Sequence, residues 1–265
     1  MFNVGLQPKA ASFGRCWAIV ASLLWAAGSA FAGPADGSRN LLANGDFEQG
    51  TATPSGWQTV DGLSSFWVDD PDPAHGKVIR FDTDVLQSQA YAWWERIRTG
   101  AAPADAPEKL PTKPPKYDTL AGLDGVWFYS DPVPVEKGRS YWLTADARGG
   151  EMMMWLLGYP QEPDLSFGAD AAAFQGYLRK KAGQDRSQRG FDRFVSGYDW
   201  KGQLKIGGTN TWQTYSRRSK PFRPTAHTPN VRTVRVLILA YWPPGEYFVD
   251  NVRLSVVEPE AAERP

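Results

Sequence analysis

The runs VRTVRVLILAYW (231–242) and YFVDNVRLSVV (247–257) decide the fold class, because both follow the two-residue period of a β-strand. In the first, Val234, Val236, Ile238 and Ala240 share one face, while Arg235, Leu237, Leu239 and Tyr241 share the other. That second face is apolar enough to be expected under a cover. In the second run, Phe248, Val252, Leu254 and Val256 read as one face with Asp250 among them. An acid among inward-pointing residues needs a partner, a cation or backbone donors.

Further β-type runs, bounded by Gly, Pro, Asn and Asp, fall at 77–81, 126–130, 139–148, 151–158 and 212–217. Many strands without alternating helices imply a mainly β chain, an antiparallel β-sandwich or jelly roll. Two stretches break the rhythm. Residues 84–125 hold QAYAWWERIRTG, a short-helix candidate, and then the proline-rich APADAPEKLPTKPPKY. Residues 161–210 hold ADAAAFQGYLRKKAG, with Phe174, Tyr177 and Leu178 on roughly one side of a helix. Both read as long, partly helical insertions decorating one sandwich domain of residues 33–258, with 259–265 a disordered tail.

Residues 1–32 read as a secretory signal: Lys9 and Arg15, an apolar stretch at 17–27, and Ala30-Phe31-Ala32 as the cleavage site. The protein is therefore expected to be secreted, periplasmic or at the cell surface, with no membrane span once the signal is removed. The single cysteine, Cys16, lies in this segment, so the mature chain has no disulfide, zinc-thiolate site or thiol nucleophile. The 265 residues carry 29 Lys+Arg and 29 Asp+Glu, and without the basic start acids are in slight excess. That balance excludes a dominantly electrostatic nucleic-acid binder.

Three motifs carry a family resemblance: NLLANGDFEQG…SGW (40–57), SDPVPVEKGRSYWLTADAR (130–148) and GEYFVDNVRL (245–254). In this order they resemble the carbohydrate-binding modules attached to bacterial cellulases and xylanases. With the strands between them they cover roughly half of the mature chain, and the two insertions depart from the family pattern. The resemblance implies a galactose-binding-domain-like jelly roll and a structural calcium (Ca2+) joining the first and last strands. Its side-chain ligands would be Asp46, Glu48 and Asp250, with backbone carbonyls completing the six to eight oxygens that calcium takes. Without the metal, Asp46 would cap a turn, Glu48 would lie on the surface, and Asp250 would be hydrogen-bonded.

Ten tryptophans follow Ala32. Flat aromatic faces suit the stacking of pyranose C–H groups, and the ligand-binding candidates are Trp93, Trp94, Trp127, Tyr129, Trp155 and Tyr241, with Tyr159 and Trp242 beside them. The competing role for each is core filling or docking of an insertion, and Trp57 reads as core. Leu237 and Leu239 would sit poorly beside hydroxyls. Catalytic signatures are missing: His75 and His227 stand isolated in loops, and no HExxH, GxSxG, P-loop or GxGxxG is present. Arg179, Lys180, Lys181, Arg186 and Arg189, with Arg217, Arg218 and Lys220, form a basic run. It suits an anionic polysaccharide, lipopolysaccharide or phosphate, or is the wet face of an insertion balanced by Asp185 and Asp192. The expected function is non-catalytic binding of a polysaccharide or glycan. The alternatives are a structural or protein-binding surface protein with a degenerate sugar cleft and, more weakly, a cryptic polysaccharide hydrolase or lyase.

Overall fold

The computed structural model describes residues 39–98, 100–101, 105–110, 116–122, 125–160, 198–217 and 220–257. All of them lie within the compact unit Asp36–Pro265. The expected signal segment, the helix candidate around 169–183 and the expected tail fall outside the described residues.

Two antiparallel sheets form a β-sandwich. The first has the order β1 (Ser65–Asp69), β2 (Lys77–Asp82), β10 (Glu246–Val256), β5 (Tyr141–Gly149), β8 (Thr209–Ser216). The second has the order β3 (Val126–Tyr129), β9 (Thr233–Ala240), β6 (Met152–Tyr159), β7 (Trp200–Ile206), and the two-residue β4 (Val133–Pro134) also pairs with β9. Alternation along each strand supplies the core. Val234, Val236, Ile238 and Ala240 of β9 join Met152, Met154 and Leu156 of β6, and Ile79, Phe81, Leu143 and Val249 come from the first sheet. Each of these side chains apart from Ala240 contributes about 1.5–3 kcal/mol on burial. Trp57 lies in this core, stacked on Phe128 at 5.9 Å, and Phe81 meets the same ring at 5.8 Å.

The last strand departs from the simple alternation. Tyr247 and Val249 point into the core, and so do Val252 and Leu254, because the pairing with β5 shifts register between Asp250 and Arg253. Asn251, at φ +49°, absorbs the irregularity. A bulge adds one residue and resets which side faces inward. Phe248 therefore lies on the opposite face from Val252 and Leu254, correcting the shared face expected for them.

The segment 40–57 closes the fold against this strand. Leu41 N donates to Leu254 O at 2.8 Å and Val252 N donates to Gly45 O at 2.7 Å. Asn40 binds Val252 O through its amide nitrogen at 3.0 Å, and its amide oxygen accepts from Leu254 N at 3.0 Å. Glycine is required at position 45, since a Cβ there would overlap Val252 O.

Between β2 and β3 the described residues form one helix, α1 (Gln87–Arg98), and two short 3-10 turns. Val85, Ala90, Trp93 and Leu120 pack this stretch onto the main core. The second interruption is shorter than expected: β7 lies inside the stretch 161–210. Gly202, Leu204 and Ile206 alternate inward and Lys201, Gln203 and Lys205 outward, and β7 is the edge strand at the end of the second sheet.

Candidate functional site

Three places bring together residues singled out in the sequence. The first is Asp250, which is buried. Its Oδ2 lies 2.8 Å from His75 Nδ1 and accepts from Asn251 Nδ2 at 3.0 Å, while Oδ1 accepts from Asn251 N at 2.7 Å. Burial pushes its carboxyl up to about 6, although the hydrogen bonds from His75 and Asn251 pull the other way. The His75 ring stacks on Trp212 at 4.0 Å. On the same turn, Asp70 accepts from Arg148 Nη2 at 2.7 Å and from Trp212 Nε1 at 3.4 Å. Burial raises the Asp70 carboxyl, but hydrogen bonds from Asp72 N, Arg148 and Trp212 outweigh it and leave the group below its ordinary value. The Arg148 guanidinium stands 3.9 Å over the Phe248 ring. The β1–β2 turn is thus fastened across the outer face of the first sheet.

His75 had read as an isolated loop residue; only the folding of this turn gives it an acidic partner 175 positions away. Glu48 Oε1 accepts from Lys77 N at 2.7 Å, so it borders the same turn, while Asp46 is exposed. Among the described residues, no group of three or more His, Cys, Asp or Glu side chains is placed to share one cation. The side chains of Asp46, Glu48 and Asp250 therefore do not form a cage by themselves.

The second place is the outer face of the second sheet. Tyr129, Leu237, Trp155 and Gln203 stand side by side across four strands, and Trp127, Leu239, Met153 and Lys205 form the next row. Leu157, Tyr159 and Leu237 are buried there, with Trp127, Tyr129, Trp155 and Tyr198 packed against them. Burial pushes the Tyr159 hydroxyl up to about 12. Desolvation draws the guanidinium of Arg235 below its usual range; its Nε donates to Ser130 O at 2.7 Å. Lys201 Nζ sits 4.9 Å over the Trp155 ring. The aromatics on this face form an apolar cluster rather than an open row.

Trp93 and Trp94 act at α1. Both indole nitrogens reach Asp61, Trp93 at its carbonyl and Trp94 at its carboxylate, each at 2.6 Å. They hold the helix to the sandwich.

The third place is the loop after β9. Tyr241 is half-buried, and Trp242, next to it, is 41% exposed. The Trp242 ring stacks on Tyr117, itself 61% exposed, at 5.5 Å and 10°. Among the described residues the exposed large hydrophobics are Ile97, Leu110, Tyr117 and Trp242. All lie on α1, the segment after it, or this loop. Tyr117 was missed in the sequence because it follows a proline-rich stretch without periodicity. The pairing of the rings depends on two segments far apart in the chain.

No family model matches the chain, and no curated protein matches it. Solved structures to which it is similar are mostly carbohydrate-binding modules and sugar-binding proteins. One is TmCBM61 in complex with beta-1,4-galactotriose, at 12% identity and a TM-score of 0.39, covering 82% of this chain and 98% of that one. Another is the family 11 carbohydrate-binding module of a Clostridium thermocellum cellulosomal cellulase, at 10% identity and a TM-score of 0.34, covering 86% and 99%. The enzymatically active domain of tailspike protein 4 from bacteriophage CBA120 matches at 11% identity and a TM-score of 0.44 over 82% of this chain, which spans 21% of that domain.

Proposed function

We propose that this protein is a non-catalytic carbohydrate-binding module, exported and acting outside the cytoplasm, whose sugar-stacking surface is the Trp242–Tyr117 pair with Tyr241 beside it. The observation that carries this reading is the exposed, nearly parallel ring pair on a loop. A flat aromatic surface turned to solvent is costly to leave bare and suits the C–H face of a pyranose. The galactose-binding-like jelly-roll winding expected from the sequence belongs to the same proposal. A glycan-array screen of the purified chain tests it: selective retention of one neutral polysaccharide class is expected, and silence from folded protein overturns it. A second reading, protein binding through a degenerate cleft, is favoured by one observation: Trp127, Tyr129 and Trp155 gather on Leu157 and Leu237.

Calcium enters this proposal as a stabiliser only, with Glu48 and Asp250 as its side-chain ligands. Support comes from both carboxylates bordering the turn at residues 75–77, and from the burial of Asp250, which raises its carboxyl. Main-chain oxygens would complete the shell. Chelation is expected to lower the melting temperature of the wild type and to leave Glu48→Gln unmoved. An unchanged wild-type curve removes the metal and leaves His75 as the partner of Asp250.

A further inference from the structure

Two rings carried on separate loops stay parallel only where something fixes the loops to each other. For Trp242 and Tyr117 that something begins at Thr83, the residue after β2, which is fully buried. Its N donates to Gly245 O at 3.0 Å, and its Oγ1 donates to the same oxygen at 3.2 Å. Gly245 N in turn donates to Thr83 Oγ1 at 3.1 Å. The Thr83 carbonyl serves the other loop, accepting from Ala121 N at 3.1 Å. Ala121 and Gly122 belong to the second 3-10 turn, Leu120–Gly122. Gly122 lies so close to Tyr117 that a Cβ there would overlap the Tyr117 main chain. One threonine thus binds the Trp242 loop with its amide and hydroxyl, and the Tyr117 segment with its carbonyl.

A second buried hydroxyl holds the same loop nearer the ring. Tyr247, in β10 and 1% exposed, donates from its OH to Pro243 O. The two hydroxyls therefore grip the chain at both ends of the short run from Pro243 to Gly245. Both of those residues border solvent, Pro243 exposed and Gly245 half-buried, where water can satisfy main-chain groups. What the hydroxyls add is a fixed position.

We propose that Thr83 and Tyr247 are positioning residues of the stacking surface. Their hydroxyls set the Trp242 loop against the Tyr117 segment, so that the ring pair stands formed before a ligand arrives. This rests on the sugar-binding reading of that surface. A preformed surface keeps the cost of ordering it out of the binding step, so losing either hydroxyl weakens retention more than it weakens the fold.

Thr83→Val and Tyr247→Phe each remove one hydroxyl and nearly keep the side-chain shape. The full chain is labelled with 5-fluorotryptophan, and the Trp242 signal is the fluorine resonance missing from Trp242→Phe. Its position reports the Tyr117 ring stacked on it. In both variants that resonance is expected to move toward its position in Tyr117→Ala, while the other tryptophan resonances stay in place. Thr83→Ser, which keeps the hydroxyl, is expected to keep the wild-type resonance. Retention on the neutral glycan that the array identifies is expected to fall by about tenfold in Thr83→Val and Tyr247→Phe, and to be kept in Thr83→Ser. An unmoved Trp242 resonance in both hydroxyl-free variants overturns the proposal, as does Thr83→Ser behaving like Thr83→Val. Loss of every tryptophan resonance in both variants also overturns it, because the hydroxyls would then serve the whole fold. Silence on the array overturns the sugar reading alone, and the fluorine shifts still decide whether these hydroxyls hold the ring pair.

Discussion

Trp242→Ala abolishes retention on the neutral glycan that the array identifies, by about thirtyfold or more, and leaves the melting curve in place. The size follows from the type of contact: an aromatic anchor at a binding surface contributes about 2 kcal/mol or more when truncated, and every 1.4 kcal/mol is about tenfold. The intact fold follows from placement. Trp242 is 41% exposed, and its ring contact is with Tyr117, which is more exposed still. Trp155→Ala is the contrasting variant. It removes a ring that packs on Leu157, Tyr159 and Leu237 and that lies under the Lys201 ammonium. Its expected effect is a lower melting temperature with glycan retention preserved. Retention that survives Trp242→Ala and fails in a still-folded Trp155→Ala would move the sugar site to the outer face of the second sheet.

Phe128→Ala is expected to cost about 3–5 kcal/mol of stability, the range for truncating a buried aromatic. Phe128 is fully buried at the centre of the sandwich. Its ring is stacked at 8° on Trp57, from the segment that precedes β1, and is met edge-on by Phe81 of the first sheet. Alanine would leave a cavity that neither sheet can collapse into without giving up its own pairing. Domains of this kind are stable by about 5–15 kcal/mol, so a fifth or more of that margin would go. The urea midpoint measures it. A shift worth less than about 1 kcal/mol would show that the sheets do not pack through this residue.

The sandwich was legible in residues 231–257 because alternation is a local signal. Val234, Val236, Ile238 and Ala240 could face inward only together, and they do. What the alternation could not show was the bulge at Asp250, which reverses the facing of Phe248 and needs the partner strand to be seen. The strand at Ser65–Asp69 lies outside the runs that read as β-type, and β7 lies inside the stretch that reads as an insertion. Its inward positions include Gly202, which carries no apolar side chain, and its outward ones are Lys and Gln. Of the candidate surface, Tyr241 and its neighbourhood could be read from the sequence, but Tyr117 could not. A stack between residues 117 and 242 is a tertiary fact with no trace in spacing. Trp93 and Trp94 illustrate the opposite limit, since composition cannot separate a docking indole from a binding one. Their shared bond to Asp61 does.

The clasp between residues 40–45 and β10 also fixes how the domain answers to force. Leu41 bonds to Leu254 and Gly45 to Val252, so the two segments run antiparallel, and the chain enters and leaves at the same end of their ladder. Tension applied through residues 40 and 257 would load those hydrogen bonds in succession, as in unzipping, instead of shearing them all together. A domain anchored by its two ends while holding a polymer would yield first at Leu41 and Leu254, far below the pull that its buried core could bear.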